Sequence, residues 1–386
     1  MRFPEFTGEW SVKSISDLAN VIGGGTPDTT IKSYWNGNIQ WFTPSEIGKT
    51  KYVELSLRTI TLEGLNNSNA KLLPPYTILL SSRATVGECS IALQECATNQ
   101  GFQSLIAKNC DIDFLYYLIQ TKKKDLIRKA CGSTFLEISA NEIRKIHTNV
   151  PSNAEQKKIG ALLSLIDKRI ETQNKIIEDL KKLKSAIVEM ILCKQGGVLL
   201  KLGDVGSFIR GLTYSSEDIA EDINATTVIR ANNLNYGNNV NKKDVVYVNK
   251  KPTEIQILRK GDIVICMANG SSSLVGKNSY YSFDDRQSTI GAFCGIYRSS
   301  QPLVKWLMQS QRYRRLVYQS LQGGNGAIAN LNGDDILNMT FRVVEDKKSV
   351  SILSTIVLIE NFISVNEKLQ ELYSIQKKYL LQHLFI

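Results

Sequence analysis

Histidine is almost absent from this chain of 386 residues, which contains only His147 and His383. Two imidazoles, one in each half, cannot form a multi-histidine zinc site and give little support to histidine-based acid–base chemistry. The seven cysteines are odd in number and include no CxxC pair, a usage typical of a reduced, cytoplasmic protein rather than of a disulfide framework. We therefore predict neither a metal site nor a bound cofactor.

Long apolar runs are missing as well. No uninterrupted apolar segment approaches the roughly 18 residues that a membrane-spanning helix requires, and the first residues lack the apolar region of a signal peptide. With 42% hydrophobic and 22% charged residues, the composition is that of a globular protein with room for two domains. We expect a soluble cytoplasmic protein without a membrane partner.

Catalytic motifs are the third absence. Residues 73–76, Leu-Pro-Pro-Tyr, resemble the N-P-P-[FY] tetrad of amino-methyltransferases, but leucine replaces the asparagine whose amide orients the target base. The glycine-rich segments 23–25 and 270–277 lack the spacing of dinucleotide-binding and phosphate-binding loops. A Ser-His-Asp triad is neither excluded by spacing nor supported by any motif. The chain is therefore interpreted as a binding protein and not as an enzyme.

The two halves of the chain repeat one pattern. Gly24 matches Gly211 at an offset of 187 residues, and the same offset aligns residues 41–47 with residues 228–234. Apolar positions and turns recur, whereas surface residues mostly differ, as expected of two domains that share a scaffold and bind different ligands. Chance similarity between two strand-rich stretches is the alternative.

Each half closes on a long helical pattern with heptad spacing, which is typical of a coiled coil. The first helix is expected to start with a capping box formed by Ser152 and Glu155 and to end at Gly196-Gly197. The first seam contains Ile159, Leu163, Ile166, Ile170, Gln173, Ile177 and Leu180. The second seam contains Ile352, Ile356, Ile359, Ile363 and Asn366. Leu162, Val188 and Leu381 flank the seams and are expected to be left for partners to cover.

These patterns predict an α+β fold with a pseudo-twofold repeat. Two similar mixed α/β domains are separated by two long helices that pair as an antiparallel coiled coil. The alternative is that each helix packs only on its own domain. The expected ranges are 1–150 for the first domain, 151–196 for the central spacer helix, 197–345 for the second domain and 346–386 for the second spacer helix.

The balance of charge indicates a polyanionic ligand. The chain has 47 Lys and Arg residues against 37 Asp and Glu residues, a net charge of +10. Arginine and asparagine can read bases in the DNA major groove, whereas lysine and serine mainly contact phosphates. The candidate DNA contacts of the first half are Thr26, Thr43, Ser45, Lys49, Arg83, Ser133 and Thr134. Those of the second half are Arg210, Arg230, Asn232, Asn233, Asn269 and Asn325.

Each of these candidates has a second interpretation. Any of them can be a solvated loop residue, and Arg230 can form an ion pair with Asp222. Lys242 and Lys243 are interpreted as phosphate contacts.

The chain resembles the specificity subunit of a type I restriction-modification enzyme. The similarity lies in the opening segment 2–10, in the pattern from Leu73-Pro74-Pro75 to Val86-Gly87, in residues 98–102, and in the helix start from Pro151 to Ile159. The second half departs from this pattern, because residues 342–351 lack the proline and the Glu-Gln pair of the first helix start.

This resemblance implies a non-catalytic DNA-binding subunit. Each domain would be a target recognition domain that reads one half of a gapped bipartite site in double-stranded DNA. The helices would set the gap and dock two modification (methyltransferase) subunits, and two restriction (translocase and nuclease) subunits would join the complex. The alternative is a two-domain nucleic-acid or protein-binding scaffold unrelated to DNA methylation.

Overall fold

The computed structural model describes residues 2–132, 136–193, 195–321, 329–344 and 346–385. These residues divide into two compact units. The first unit contains Met1–Lys175 and Glu367–Ile386, and the second contains Ile176–Asn366. Both units are mixed α/β. Each of them takes in part of both long helices, so the units do not coincide with the domain ranges expected from the sequence.

The first unit is built around two sheets. The five-stranded sheet has the order Ala19–Gly23, Gln103–Ala107, Ile78–Leu80, Cys89–Ala92 and Tyr52–Val53. The three-stranded sheet has the order Arg58–Ile60, Trp35–Phe42 and Cys96–Thr98. A separate antiparallel pair joins Ser11–Ser14 to His147–Val150. The helices are Ile15–Leu18, Leu62–Asn66, Ile112–Thr121, Lys123–Lys129 and Ala140–Arg144, with short 3-10 turns at Lys32–Tyr34 and Pro44–Glu46.

The second unit repeats this arrangement with small changes. One four-stranded sheet has the order Gly206–Arg210, Cys294–Ser299, Ile263–Cys266 and Asn278–Tyr280. The other has the order Ile219–Ala220, Val246–Val248, Thr226–Ile229 and Ser288–Ile290. Two-stranded pairs join Val198–Lys201 to Thr340–Val343 and Ala268–Asn269 to Ala329–Asn330. The helices are Leu202–Val205, Val304–Leu307, Gln311–Leu321 and Gly333–Leu337, with 3-10 turns at Ser216–Asp218, Ala231–Asn233, Glu254–Gln256 and Ser272–Leu274.

Strand register relates the two units residue by residue. Phe42 lies beside Thr98 in a parallel pair, and Ile229 lies beside Ile290 in the corresponding parallel pair. Phe42 and Ile229 are 187 positions apart, the same offset that the glycine turns show in the sequence. The later strands Cys96–Thr98 and Ser288–Ile290 are offset by 192, because the second unit has five more residues between the paired strands.

The first long helix runs over Asn153–Glu189 and the second over Asp346–His383. The backbone N–H of Glu155 donates to Ser152 Oγ at 3.4 Å, as a capping box requires. The Glu155 carboxylate does not complete the box. It is buried and forms an ion pair with Arg2 at 2.7 Å. The helix ends before the glycine pair, and Gly196 and Gly197 then adopt left-handed backbone conformations.

All twelve seam residues are buried or half-buried. In the first unit, Ile159, Leu163 and Ile166 share a core with Leu380 and Leu384. In the second unit, Val188 and Ile191 share a core with Ile356. The flanking positions are not left for partners as the sequence suggested, because Val188 is only 3% exposed and Leu162 and Leu381 are half-buried.

One of the described helices meets the length and composition of a membrane span. Lys348–His383 includes an 18-residue window with a mean hydropathy of 1.5. The core helix of a soluble protein can have the same length and hydropathy, so these two properties do not identify a membrane-spanning helix. Glu360, near the middle of this helix, accepts ion pairs from Lys184 at 3.4 Å and Lys305 at 3.0 Å. Those pairs tie the helix to the folded second unit.

Candidate nucleic-acid interface

The parallel strand pair of each unit brings several loops to one edge, because parallel strands end at the same side of a sheet. In the first unit, Asn99 N–H donates to Phe42 O at 3.1 Å and Gly25 N–H donates to Thr98 O at 2.8 Å. A third bond, from Ser82 N–H to Gly101 O at 2.8 Å, adds the loop after strand Ile78–Leu80. We call this cluster of loops the loop edge.

The second unit forms its loop edge with the same three backbone hydrogen bonds. Gly291 N–H donates to Ile229 O at 3.0 Å, and Leu212 N–H donates to Ile290 O at 2.8 Å. Met267 N–H donates to Phe293 O at 2.8 Å. These bonds make Phe293 the equivalent of Gly101, so the two loop edges share a backbone and differ in side chains.

Four of the sequence-predicted residues lie at the first loop edge. Thr43 hydroxyl and Ser45 hydroxyl are 3.1 Å apart, and Thr26 donates to Gln100 across the edge. Arg83 is 47% exposed and binds Glu137 through Nε at 3.0 Å and Nη2 at 2.8 Å. A duplex contact by Arg83 would therefore compete with an existing ion pair.

In the second unit, three predicted residues line one open cavity of about 360 Å³. Its lining consists of Tyr214, Arg230, Ala231, Asn232, Ala268, Asn269, Gly291, Ala292, Phe293 and Cys294. Arg230 and Asn232 come from one turn, and Asn269 comes from a second loop that lies far from that turn in the sequence. The fold thus brings together side chains that are distant in the sequence. Only a comparison of the two halves of the sequence indicates that they belong to one site.

The Arg230 guanidinium is held in this cavity without an acidic partner among the described residues. Its Nη2 donates to Asp244 O at 3.2 Å, and its buried Nε has no hydrogen-bond partner in the described structure. The alternative ion pair with Asp222 is not formed, because that carboxylate instead accepts from Asn224. The Arg230 guanidinium therefore has N–H groups that can donate hydrogen bonds to a ligand.

Asn233 is a correction to the predicted DNA contacts. It is 1% exposed, its Oδ1 accepts from Arg230 N–H at 2.9 Å, and its Nδ2 donates to the carbonyls of Asn241 and Lys243. Glu46 closes the equivalent turn in the first unit, where Thr43 N–H donates to its carboxylate at 2.7 Å. Both side chains shape the loop and have no free face for a base.

The other predicted residues lie apart from these clusters or cannot be placed. Lys49 is exposed and lines a cavity of about 510 Å³ next to both long helices within the first unit, away from Thr43 and Ser45. Arg210 is exposed at the end of strand Gly206–Arg210, on the second loop edge. Ser133, Thr134 and Asn325 lie outside the described residues.

Lys242, interpreted from the sequence as a phosphate contact, is 29% exposed and already has partners in the second unit. Its Nζ donates to Asp285 at 2.5 Å and to Ser288 Oγ at 3.2 Å. Burial alone would raise the pKa of the Asp285 carboxyl group, but hydrogen bonds from Lys242 and Tyr281 outweigh burial and lower the pKa to about 2. Lys243 is exposed and remains a phosphate-contact candidate.

The loop edges also contain residues that the sequence reasoning missed, namely Gln100, Tyr214 and Phe293. A strand-by-strand alignment of the two halves would have found Phe293, because it replaces a glycine at an otherwise matched turn.

The side chains at the loop edges are suited to the recognition of a ligand. Burial raises the pKa of the Cys96 and Cys294 thiols to about 12, so they stay protonated at neutral pH. No group of three metal-ligating side chains is found within the described ranges.

Comparison with known proteins gives this site its context. Residues 7–182 match the family model of the type I restriction modification DNA specificity domain. A stretch of 180 residues is 39% identical to the MjaIX specificity subunit of Methanocaldococcus jannaschii and covers 45% of this chain and 42% of that protein. A stretch of 190 residues is 28% identical to the EcoR124I/EcoR124II specificity subunit of Escherichia coli and covers 47% and 46%. The matched stretches span less than half the length of these curated relatives.

Solved structures extend the likeness to the whole chain. The crystal structure of the S subunit of a type I restriction-modification system from M. genitalium matches with a TM-score of 0.58 at 16% identity, over 100% of this chain and 97% of that one. Residues 7–182 are thus similar to the DNA specificity domain of type I restriction-modification enzymes, and the whole chain shares its fold with a solved S subunit. A second structure, from work on assembly and conformational transition of the type I system, matches this fold with a TM-score of 0.61 at 12% identity, over 99% and 98%.

Arg230→Ala should relax discrimination at one base pair of one half-site. If Arg230 binds a guanine through two hydrogen bonds, its loss should reduce the preference for that base by about 1–3 kcal/mol. The measurement is binding of this chain to DNA duplexes with single base-pair changes. Lys243→Ala is the matched control, because loss of a phosphate contact should weaken every duplex alike. Uniform loss with Arg230→Ala, or none, would remove Arg230 from the base readers.

Proposed function

We propose that this chain is a specificity subunit that binds double-stranded DNA and directs modification and restriction subunits to one gapped, bipartite site. Each unit reads one half of the site through its loop edge. The observation that carries the proposal is the matched backbone of the two loop edges, which hold Thr26, Thr43 and Ser45 in one unit and Arg230 and Asn232 in the other. A shared scaffold with different side chains is what reading two different sequences requires.

Methyl transfer and cleavage are assigned to the partner subunits. The residues of the loop edges are amides, hydroxyls, guanidinium groups and aromatic rings, and none forms a nucleophile–base pair of the kind used in catalysis. The specificity subunit would therefore position the complex on the DNA. The modification subunits, two per complex, would supply the cofactor and the chemistry.

The two long helices are proposed to pair in antiparallel orientation as a spacer. Within the first unit, Lys377 binds Asp167 at 2.7 Å, and Tyr117 hydroxyl donates to the same carboxylate at 2.6 Å. Within the second unit, Lys184 binds Glu360 at 3.4 Å. The first half of the first helix thus meets the last part of the second, and the last part of the first meets the first half of the second, which supports an antiparallel pair.

Part of the helix surface is proposed to dock the modification subunits. Leu358, Phe362 and Val365 are 59%, 60% and 62% exposed and follow one another at spacings of four and three residues. That spacing places them on one face of the helix. An exposed apolar face of this kind is expected of a protein that is covered by partner subunits.

Replacing residues 1–150 by the corresponding domain of a related specificity subunit should change one half of the methylated motif only. The reason is that each loop edge is held by hydrogen bonds within its own unit. Genome-wide methylation mapping in cells that express the chimera with the modification subunits gives the readout. Cells without the specificity subunit serve as the control and should lose the motif. A chimera that changes both halves would contradict the modular assignment.

Inserting one heptad into each long helix, after Gln173 in the first and after Asn366 in the second, should lengthen the gap. Seven residues add about 10 Å of helix, which is close to three base pairs of DNA. Methylation mapping should return the same half-sites at a wider spacing, or no methylation. A four-residue insertion is the matched control, since it interrupts the heptad seam, unwinds the pair locally and should abolish methylation rather than give a new spacing. If the gap stayed unchanged after the seven-residue insertion, the length of the helices would not set the gap.

Phe362→Asp should prevent assembly with the modification subunits while leaving the fold intact. The side chain is 60% exposed, so a carboxylate is tolerated in water but is costly when a partner covers it. Co-purification of the subunits and the melting temperature of the isolated chain are the two measurements. Ile223→Asp, at a position in the same unit that is 70% exposed, is the control and should assemble normally. If the Phe362→Asp variant assembled fully with the modification subunits, the docking face would lie elsewhere on the chain.

A further inference from the structure

Phe293 is an exposed aromatic side chain on a rigid backbone. It is 69% exposed, yet its carbonyl accepts from Met267 N–H at 2.8 Å and from Ala268 N–H at 3.3 Å. The turn beneath it is closed by Cys294 N–H, which donates to Gly291 O at 2.9 Å. A phenyl ring gains nothing from water, so a ring that the fold fixes at the surface is available for an apolar ligand group.

The cavity beside Phe293 combines apolar and hydrogen-bonding walls. Tyr214, Ala268 and Ala292 contribute aromatic and methyl surface to it, and Arg230 and Asn269 contribute polar groups. A methyl group placed on Gly291 would lie 3.6 Å from Tyr214 Cε1 and 3.9 Å from Arg230 Cγ, so the ring and the arginine stem flank the same glycine. One ligand can therefore meet both kinds of wall.

Duplex DNA offers a single apolar group in its major groove, the 5-methyl group of thymine. The neighbouring side chains belong to the types that read base edges in that groove, arginine for guanine and asparagine for adenine. We propose that the Phe293 cavity is a subsite for the 5-methyl group of one thymine in the half-site read by the second unit. This inference rests on the proposed DNA-reading function.

Among its described residues, the first unit has no counterpart to this subsite. The equivalent residue is Gly101, where a methyl group would lie 3.1 Å from Pro44 Cγ and 3.8 Å from Arg83 Cβ. The loops there pack directly against one another. The thymine-methyl contact therefore belongs to one half-site only.

Deoxyuridine, which lacks the 5-methyl group, tests the subsite. The methylated motif is first established by methylation mapping, and each thymine of the second unit's half-site is then replaced by deoxyuridine, one at a time. One replacement should weaken binding by the complex with modification subunits about fourfold, the value expected for burial of one methyl group at about 0.8 kcal/mol. Phe293→Ala should bind the thymine and deoxyuridine duplexes equally well at that position and should respond normally at all others.

Matched variants separate this contact from a loss of folding. Ile223→Ala removes an equally exposed apolar side chain of the same unit and should keep the full response to deoxyuridine. Phe293→Leu retains an apolar side chain and should keep part of it. Melting temperatures of all three variants should stay close to that of the unmodified chain, because both positions are exposed.

Three results would overturn the subsite. The first is a half-site without thymine, or one in which no deoxyuridine replacement changes binding. The second is a Phe293→Ala complex that still loses fourfold on the same replacement. The third is a loss with Phe293→Ala that is equal for every base and is restored by a flexible mismatched step, which would make Phe293 a wedge between base pairs. Absence of any methylated motif with the unmodified chain would instead refute the proposed function.

Discussion

The parallel pairing of two short strands is the constraint on which the recognition geometry depends. Strand Trp35–Phe42 lies beside Cys96–Thr98, and strand Thr226–Ile229 lies beside Ser288–Ile290. Parallel neighbours must end on the same side of a sheet, so segments that are more than fifty residues apart in sequence emerge together. Backbone hydrogen bonds, joined by a few side chains such as Glu46 and Asn233, then fix the loops. The other side chains are left free to differ between the two units.

Because matched backbone hydrogen bonds hold the loops in place, the two loop edges tolerate different side chains. Glu46 and Asn233 both close the turn that follows the first parallel strand, through an oxygen that accepts a backbone N–H. A carboxylate and an amide serve equally well there, because each offers the required acceptor. Neighbouring positions, such as Ser45 and Asn232, are exposed and carry no such duty. Identity at a loop position is therefore a poor guide to its role without the hydrogen bonds.

Heptad spacing and glycine turns made much of the scaffold predictable from sequence. The long helices begin close to the expected residues and their seam residues are buried or half-buried, but the first helix ends at Glu189, before the expected Gly196-Gly197. Local patterns encode such features, because helical periodicity and turn chemistry act over a few residues. Pairings between distant residues were not predictable in this way. Glu155 pairs with Arg2 rather than completing its cap, and Lys242 pairs with Asp285, since such contacts depend on the tertiary fold.

The antiparallel strand pair at the base of each unit has a consequence for how such proteins diversify. Ser11 lies opposite Val150, and Val198 lies opposite Val343, so the chain enters and leaves each globular part at neighbouring points. A gene segment exchanged between those points would bring both of its ends to the right place, with no strain on the helices. Under the proposed function, one such exchange replaces a half-site without many coordinated substitutions. In evolutionary terms, these two strand pairs are permissive joints of the fold.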